Sequence, residues 1–151
     1  MADDTQAPRV VSATRVIAAD AASVFDLIAD PSQQPRWDGN DNLSQAVQGQ
    51  RPHGVGDVFT MTLTNGQVRE NHVVEFEEGR RIAWRPSEVG KEPPGHLWRW
   101  EVDPVDGDHT RVTHTYDWTT LRDEWRIVRA KDTGTDRLRA SLDRLAKVVE
   151  R

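Results

Sequence analysis

The chain has 151 residues, a formal net charge of −5 and no cysteine, so it fits one domain and offers neither a disulfide framework nor a thiolate metal site. Its lysines and arginines are spread along the sequence rather than clustered, which argues against a nucleic-acid partner. No apolar run approaches the roughly 18 residues of a membrane-spanning helix, and the N-terminus has no signal-peptide pattern. We therefore expect a cytoplasmic protein without stable membrane insertion, present as a monomer or a weak homodimer.

The N-terminal part of the sequence predicts one strand followed by two short helices. Residues 1–8 are expected to form a flexible tail, and residues 9–151 a single domain. Val10–Ala18 alternates and is rich in Val, Ile and Thr, which is typical of a strand. Ala21–Ala29 has apolar residues at helical spacing behind a capping aspartate, and Pro31–Trp37 can add one short turn of helix.

A loop and six further strands follow. The segment 36–42 is rich in Asp, Asn and Gly, favours a loop and could form a rim or lid over a cavity. Leu43–Gln50 predicts a weak second strand and Asp57–Thr64 a third. Four more strands lie between Val68 and Trp118, with the Pro- and Gly-bearing loop Pro86–Gly95 between the fifth and the sixth.

Several of these strands place aromatic and ionisable side chains on one face, since alternate residues of a strand point to the same side. The three sets are Val68, Glu70, His72, Val74 and Phe76; His96, Trp98, Trp100 and Val102; and Val112, His114, Tyr116 and Trp118. A solid core excludes a glutamate and three histidines, and a fully solvated face would hardly carry three indoles. The mixture predicts the wall of a cavity.

Three turns predict how the strands pair. A two-residue Asn65-Gly66 turn places Leu63 opposite Val68, Met61 opposite Glu70 and Phe59 opposite His72. The other two turns predict the pairs Phe76 with Ile82, Val74 with Trp84, Val102 with Val112, Trp100 with His114 and Trp98 with Tyr116. All of these residues are expected on the inner face.

The C-terminal region changes to a helical period. Its apolar stripe consists of Leu121, Trp125, Val128, Leu138, Leu142, Leu145 and Val149. Asp132 and Thr135 interrupt this stripe beside Gly134, which predicts either one kinked helix or two halves. The interruption is either a kink exposed on the surface or a gap facing the cavity.

The order of elements, together with Val24–Ile28 leading into Asp30-Pro31 and Trp37, resembles the START-like (SRPBCC) superfamily and, within it, the polyketide cyclase/dehydrase and lipid transport family. The resemblance covers Val10 to Glu150. It implies an α+β helix-grip fold, in which a curved seven-stranded antiparallel sheet wraps around a long C-terminal helix, with two short helices after the first strand. It also implies an elongated cavity for a hydrophobic small molecule.

The residues expected to line this cavity combine the inner face of the sheet with the rim and the terminal helix. They are Trp37, Phe59, Met61, Glu70, His72, Trp84, His96, Trp98, Trp100, His114, Tyr116, Trp118, Val128 and Asp132. The indoles could equally be core packing. Glu70 and His72 could serve as acid and base, or only hydrogen-bond each other or a neighbouring strand.

Two classes of function follow. The first is binding of a lipid, polyketide or aromatic metabolite. The second is a cyclase, aromatase or dehydratase that uses Glu70, His72, His114 and Tyr116 for proton transfer. Without a His-Glu-x-x-His run or a Gly-rich phosphate loop, we expect neither a metal site nor a cofactor.

Overall fold

The computed structural model describes residues 8–150, which contain seven strands, three α-helices and one 3₁₀ helix. The strands are β1 (Val10–Ile17), β2 (Leu43–Gln45), β3 (Val58–Leu63), β4 (Val68–Glu77), β5 (Arg81–Glu88), β6 (Leu97–Asp106) and β7 (His109–Asp117). The helices are α1 (Ala21–Ala29), the 3₁₀ helix Pro31–Arg36, α2 (Glu124–Lys131) and α3 (Thr135–Val149). The predicted tail, residues 1–8, lies outside the described residues apart from Pro8.

The strands form one antiparallel sheet in the order β1-β7-β6-β5-β4-β3-β2. Strands β2 to β7 follow each other along the chain, and β1 pairs with the last of them. The predicted α+β helix-grip fold is confirmed. Within residues 8–150, no helix reaches the length and apolarity that crossing a lipid bilayer requires.

The two short helices form where the sequence places their caps. The Asp20 carboxylate accepts a hydrogen bond from the backbone N–H of Ser23 at 3.0 Å, which begins α1. Asp30 ends α1 and caps the 3₁₀ helix by accepting from the backbone N–H of Ser32 at 3.0 Å. Val24 and Ile28 are fully buried, so α1 closes one end of the sheet.

The predicted register of the β3–β4 hairpin is wrong by one residue. Leu63 N–H donates to the carbonyl of Gln67 at 2.7 Å, which encloses three loop residues instead of two. Gly66 has φ +88° and supplies the left-handed residue that ends such a loop. Because a one-residue shift exchanges the faces of a strand, it moves Glu70 and His72 to the outer face.

The observed pairs across this hairpin are Phe59 with Asn71, Met61 with Arg69, Thr60 with Glu70 and Val58 with His72. A bulge then follows in β4, and Val73 rather than Val74 lies opposite Trp84. Beyond the bulge, Phe76 pairs with Ile82 as predicted. The three predicted pairs between β6 and β7 are all confirmed: Val102 with Val112, Trp100 with His114 and Trp98 with Tyr116.

The C-terminal region forms two helices, with Gly134 as the N-cap of the second. Helix α3 buries Leu138, Leu142 and Leu145 and packs mainly against β1 and β7. The predicted stripe fails in α2, where only Ala130 is buried and Val128 is 64% exposed. The grip of the sheet on a terminal helix therefore depends on α3 alone.

Candidate functional site

A cavity of about 240 Å³ lies between the inner face of strands β3 to β7 and the segments that cover it. Its cover is the loop after the 3₁₀ helix, helix α2 and the start of α3. The residues around it are Gln34, Trp37, Asp38, Asn40, Asn42, Leu43, Met61, Leu63, Arg69, Asn71, Trp84, Pro86, His96, Trp98, Trp100, His114, Tyr116, Leu121, Trp125, Arg126, Arg129, Thr133 and Arg137. Since α3 fills the β1 side of the sheet, the cavity lies toward the opposite side.

Stacked aromatic rings from β6 and β7 form one wall of the cavity. Trp98 and Tyr116 are cross-strand partners with ring centroids 4.2 Å apart. Trp100 stacks on His114 at 3.7 Å, and Trp37 meets Trp100 edge-on at 5.0 Å. The wall presents flat apolar surfaces toward the cavity.

Trp37 joins the loop that covers the cavity to the rest of the fold. Its indole N–H donates to the carbonyl of Leu27 at 2.9 Å. Next to it, Gly39 N–H donates to the Ser141 hydroxyl at 2.8 Å. A Cβ on Gly39 would come within 2.5 Å of the Arg137 carbonyl, so the loop packs on α3 only with glycine there.

His114 is a neutral imidazole with a fixed tautomer. Its Nδ1 lies 3.0 Å from the carbonyl oxygen of Arg99, and because a carbonyl can only accept, Nδ1 carries the proton. The lone pair is left on Nε2. Burial lowers the pKa of His114 to about 3.

Other polar atoms of the wall are buried without a partner. His96 Nδ1 and Trp100 Nε1 have no hydrogen-bond partner within residues 8–150. Burial lowers the pKa of His96 to about 4, with a further contribution from nearby arginines. Burial raises the pKa of Tyr116 to about 12, so its phenol keeps its proton. Such atoms can hydrogen-bond to a ligand at little desolvation cost, because they are already withdrawn from water.

Asp38 brings a carboxyl group to the cavity that sequence reasoning did not single out. One oxygen accepts a hydrogen bond from the side-chain amide of Asn40 at 3.2 Å, and the other has no partner within the described residues. Burial raises the pKa of Asp38. The cavity therefore holds a carboxyl group that resists ionisation.

The structure brings together eight of the fourteen side chains that the sequence predicted to line the cavity. They are Trp37, Met61, Trp84, His96, Trp98, Trp100, His114 and Tyr116. Phe59 is buried behind the wall, edge-on to Trp84 at 5.3 Å. Trp118 is buried in the core, with the Arg9 guanidinium 4.5 Å from its ring centroid.

The other four predicted residues lie elsewhere. Val128 and Asp132 are exposed on and after α2 and do not line the cavity, although Thr133, between Asp132 and Gly134, does. On the outer face, Glu70 accepts from the backbone N–H of Gly90 at 2.9 Å. His72 Nε2 lies 3.0 Å from the Ser87 hydroxyl. These contacts satisfy a polar patch of the outer surface.

Two groups of the residues that the sequence missed have an identifiable reason. Arg69 and Asn71 alternate with Glu70 and His72, so the predicted register left them on the outer face. The loop length corrects this, and the Gly that ends a three-residue turn was the available signal. Asp38 and Asn42 belong to the loop predicted as a rim. Arg36 and Asp41 of that loop do not reach the cavity, and Asp41 instead pairs with Arg144.

Among residues 8–150, no three His, Asp or Glu side chains lie close enough together to hold a metal ion.

Comparison with known proteins finds a matching family model and related proteins. A family model described as polyketide cyclase/dehydrase and lipid transport matches residues 8–150. The chain is 30% identical over 114 residues to the uncharacterized protein Rv0088 of Mycobacterium tuberculosis, a match that covers 74% of this chain and 48% of that protein. The chain thus spans about half the length of the curated relatives it matches.

Solved structures share the fold at low sequence identity. XoxI from Bacillus cereus has a TM-score of 0.68 at 12% identity, covering 94% of this chain and 96% of that one. A Thermobifida fusca protein has a TM-score of 0.66 at 22% identity, with 94% and 93% covered. A norcoclaurine synthase point mutant from Thalictrum flavum, solved with a transition-state analogue, has a TM-score of 0.58 at 18% identity, with 93% and 92% covered.

Proposed function

The chain belongs to the polyketide cyclase/dehydrase and lipid transport family, and on that basis we propose that it binds a compact, ring-bearing hydrophobic molecule in its cavity. The observation that carries the proposal is the cavity itself, about 240 Å³ of space with indole rings around it. Small-molecule sites commonly combine aromatic walls with a few placed polar groups. Here those groups include His96, His114 and Tyr116.

The size of the cavity favours a ring system over a long acyl chain. An apolar cavity of about 150 Å³ accepts benzene, and this one is larger by roughly half. Trp98 and Tyr116, whose rings lie 4.2 Å apart at an interplanar angle of 31°, each offer a flat surface against which a fused ring can stack. Among lipids, polyketides and aromatic metabolites, the last two fit these dimensions better.

Titration with the neutral probe N-phenyl-1-naphthylamine tests the proposal. We expect saturable fluorescence enhancement together with energy transfer from tryptophan, because the probe would lie against several indoles. The Trp98→Ala variant removes one side of the stack and should weaken binding about tenfold. Mass spectrometry of ligands extracted from natively purified protein identifies what the cavity holds.

The matched control is Val105→Ala, which removes an apolar side chain exposed on the β6–β7 hairpin and away from the cavity. Its affinity for the probe should equal that of the unmodified protein. Binding that is absent, or that both substitutions weaken equally, would contradict a site in the cavity.

A second candidate function is proton-transfer catalysis, and the side chains around the cavity favour it specifically. His114 presents an unprotonated Nε2, which is a weak base because burial lowers its pKa to about 3, and Tyr116 keeps a phenolic proton that it can donate. An aldol cyclisation and dehydration needs a base at the carbon beside one carbonyl and an acid at the oxygen of another. Of the neighbours in fold, norcoclaurine synthase is an enzyme by name.

The corrected register supplies a matched pair of variants for this candidate. His114→Asn should lower turnover of a poly-β-keto model substrate at least a hundredfold. Glu70→Gln, on the outer face, should leave it unchanged. Equal turnover rates for both variants would rule out the catalytic function and leave the binding proposal unaffected.

A further inference from the structure

Four arginines line the cavity: Arg69, Arg126, Arg129 and Arg137. The chain as a whole has a formal net charge of −5, so four positive charges meet at one site of a protein that is negatively charged overall. The four come from β4, α2 and α3, and only the fold brings them to one opening.

Most of this charge is not neutralised by ion pairs. Among residues 8–150, Arg69, Arg129 and Arg137 have no carboxylate within 4.0 Å, whereas Arg126 pairs with Glu88 at 2.8 Å and with Asp123. Three guanidinium groups can therefore take a new anionic partner without breaking an existing pair. Guanidinium groups bind carboxylate, sulfonate and phosphate through paired N–H donors.

The carboxyl group of the cavity does not compensate these arginines. Asp38 forms no ion pair within the described residues, and its pKa is raised by burial first and also by the nearby charge of Asp41. The adjacent Arg144 guanidinium donates to the Asp38 backbone carbonyl at 2.7 Å and pairs with Asp41.

The positive charge of the arginines acts on His96, whose ring borders the cavity. After burial, the causes of its low pKa are the positive charges of nearby arginines: Arg126, Arg69, Arg85 and Arg129. The positive charge of Arg129 also acts to lower the pKa of Tyr116, against the larger raising effect of burial. The positive field thus reaches the two polar groups beside the aromatic wall, and His96 Nδ1 there is buried without a partner.

We propose that the ligand of this cavity is an aromatic or polycyclic acid, whose rings lie against the indoles and whose carboxylate or similar anionic group binds Arg69 and Arg129. This rests on the proposed function, since it specifies what the same cavity takes. An acid fits both halves of the site, because the stacked rings contact its apolar part and the arginines provide the opposite charge.

Two probes with the same ring system distinguish the contribution of the anionic group to binding from that of the rings. N-phenyl-1-naphthylamine is neutral, and 1-anilinonaphthalene-8-sulfonate is the same skeleton with an anionic group. Substituting Arg129→Gln, or Arg69→Gln, should weaken binding of the sulfonate about tenfold and change binding of the neutral probe less than twofold. Arg139→Gln, on the exposed face of α3 and outside the cavity, is the control and should affect neither.

Competition identifies the anionic group and its source. Displacement of the sulfonate probe at a much lower concentration of 1-naphthoate than of 1-naphthylmethanol supports a free ring-bearing acid. Co-sedimentation with phosphatidylglycerol vesicles through the same arginines, without displacement by 1-naphthoate, would overturn it in favour of a lipid headgroup.

The outcomes also separate this inference from the proposed function. If neither probe binds, the cavity site itself fails. If the neutral probe binds and the arginine variants weaken both probes equally, or neither, the binding proposal survives and the acid assignment is wrong.

Discussion

Asp38 is a residue whose environment opposes its ordinary charge. Its second carboxylate oxygen has no hydrogen-bond partner within residues 8–150, and burial raises its pKa. A carboxyl whose pKa is higher in the folded than in the unfolded protein destabilises the fold once the pH exceeds the ordinary value, because ionisation is then costlier in the native state. Polar groups left unsatisfied in this way are common at functional sites.

The Asp38→Asn substitution should therefore stabilise the protein at pH 7, by up to about 1 kcal/mol. The amide keeps one oxygen to accept from Asn40 and carries no charge. The free energy of unfolding in urea, measured at pH 7 and again at pH 4, checks this, and the gain should shrink at the lower pH as the native carboxyl takes up its proton. A variant less stable than the unmodified protein at pH 7 would show that the ionised carboxylate has a compensating partner.

Whether the faces of a strand can be predicted depends on the turn that precedes it. The β6–β7 pairs followed from the sequence because the inward residues on both strands are bulky and aromatic, so only one register buries them. In the β3–β4 hairpin both faces of β4 mix polar and apolar residues. Register there depended on whether the loop around Gly66 has two or three residues. The wrong count placed Glu70, His72 and Asn71 on the wrong faces of the sheet.

Two glycines test this account of the hairpin, because neither has an atom within 4 Å of where a Cβ would stand. Gly66 has φ +88°, whereas Gly107 in the β6–β7 turn is not at positive φ. Gly66→Ala should cost about 1 kcal/mol, since an L-residue is strained in the left-handed region. Gly107→Ala should stay within about 0.5 kcal/mol, because its backbone conformation is open to alanine.

Urea denaturation of the two variants at neutral pH measures both values. Equal costs would mean that Gly66 is not held at positive φ, and the three-residue turn would then lose its support. The comparison is insensitive to side-chain packing, because both positions are open.

Helix α2 shows a second limit of sequence reasoning. Its residues continue an apolar spacing, yet Trp125 is 55% exposed and Val128 is exposed as well. Trp125 and Arg129 border the cavity. Periodicity located the helix but could not tell a face buried in the core from one that borders a cavity, because both require apolar residues at the same spacing.

At the scale of the whole molecule, the fold was predictable and the cationic opening was not. Element order and alternation identify the helix-grip architecture, because each apolar face must be covered by another element. Arg69, Arg129 and Arg137 belong to three different elements. Their assembly at one opening is a tertiary property, and a sequence in which arginines are evenly spread gives no sign of it.

The stability of the whole domain should fall as the pH drops from 6.5 toward 4. Burial lowers the pKa of His114 to about 3 and contributes most to lowering that of His96 to about 4. In the unfolded chain both protonate near 6.5. Below that pH the unfolded state binds more protons than the native state, so each histidine removes up to about 1.4 kcal/mol per pH unit.

The His114→Asn variant isolates one of these contributions, since the asparagine amide can still donate to the Arg99 carbonyl. We expect it to be less stable than the unmodified protein at pH 7, because a ring stacked on Trp100 is lost. Its free energy of unfolding should then decline less steeply between pH 6.5 and 4. His53→Asn, which removes an exposed imidazole instead, is the matched control.

If the free energy of unfolding of His114→Asn declined as steeply as that of the unmodified protein over this range, His114 would have to accept a proton in the folded state. The imidazole beside Trp100 would then be solvated, and the closed aromatic wall on which the cavity depends would be wrong.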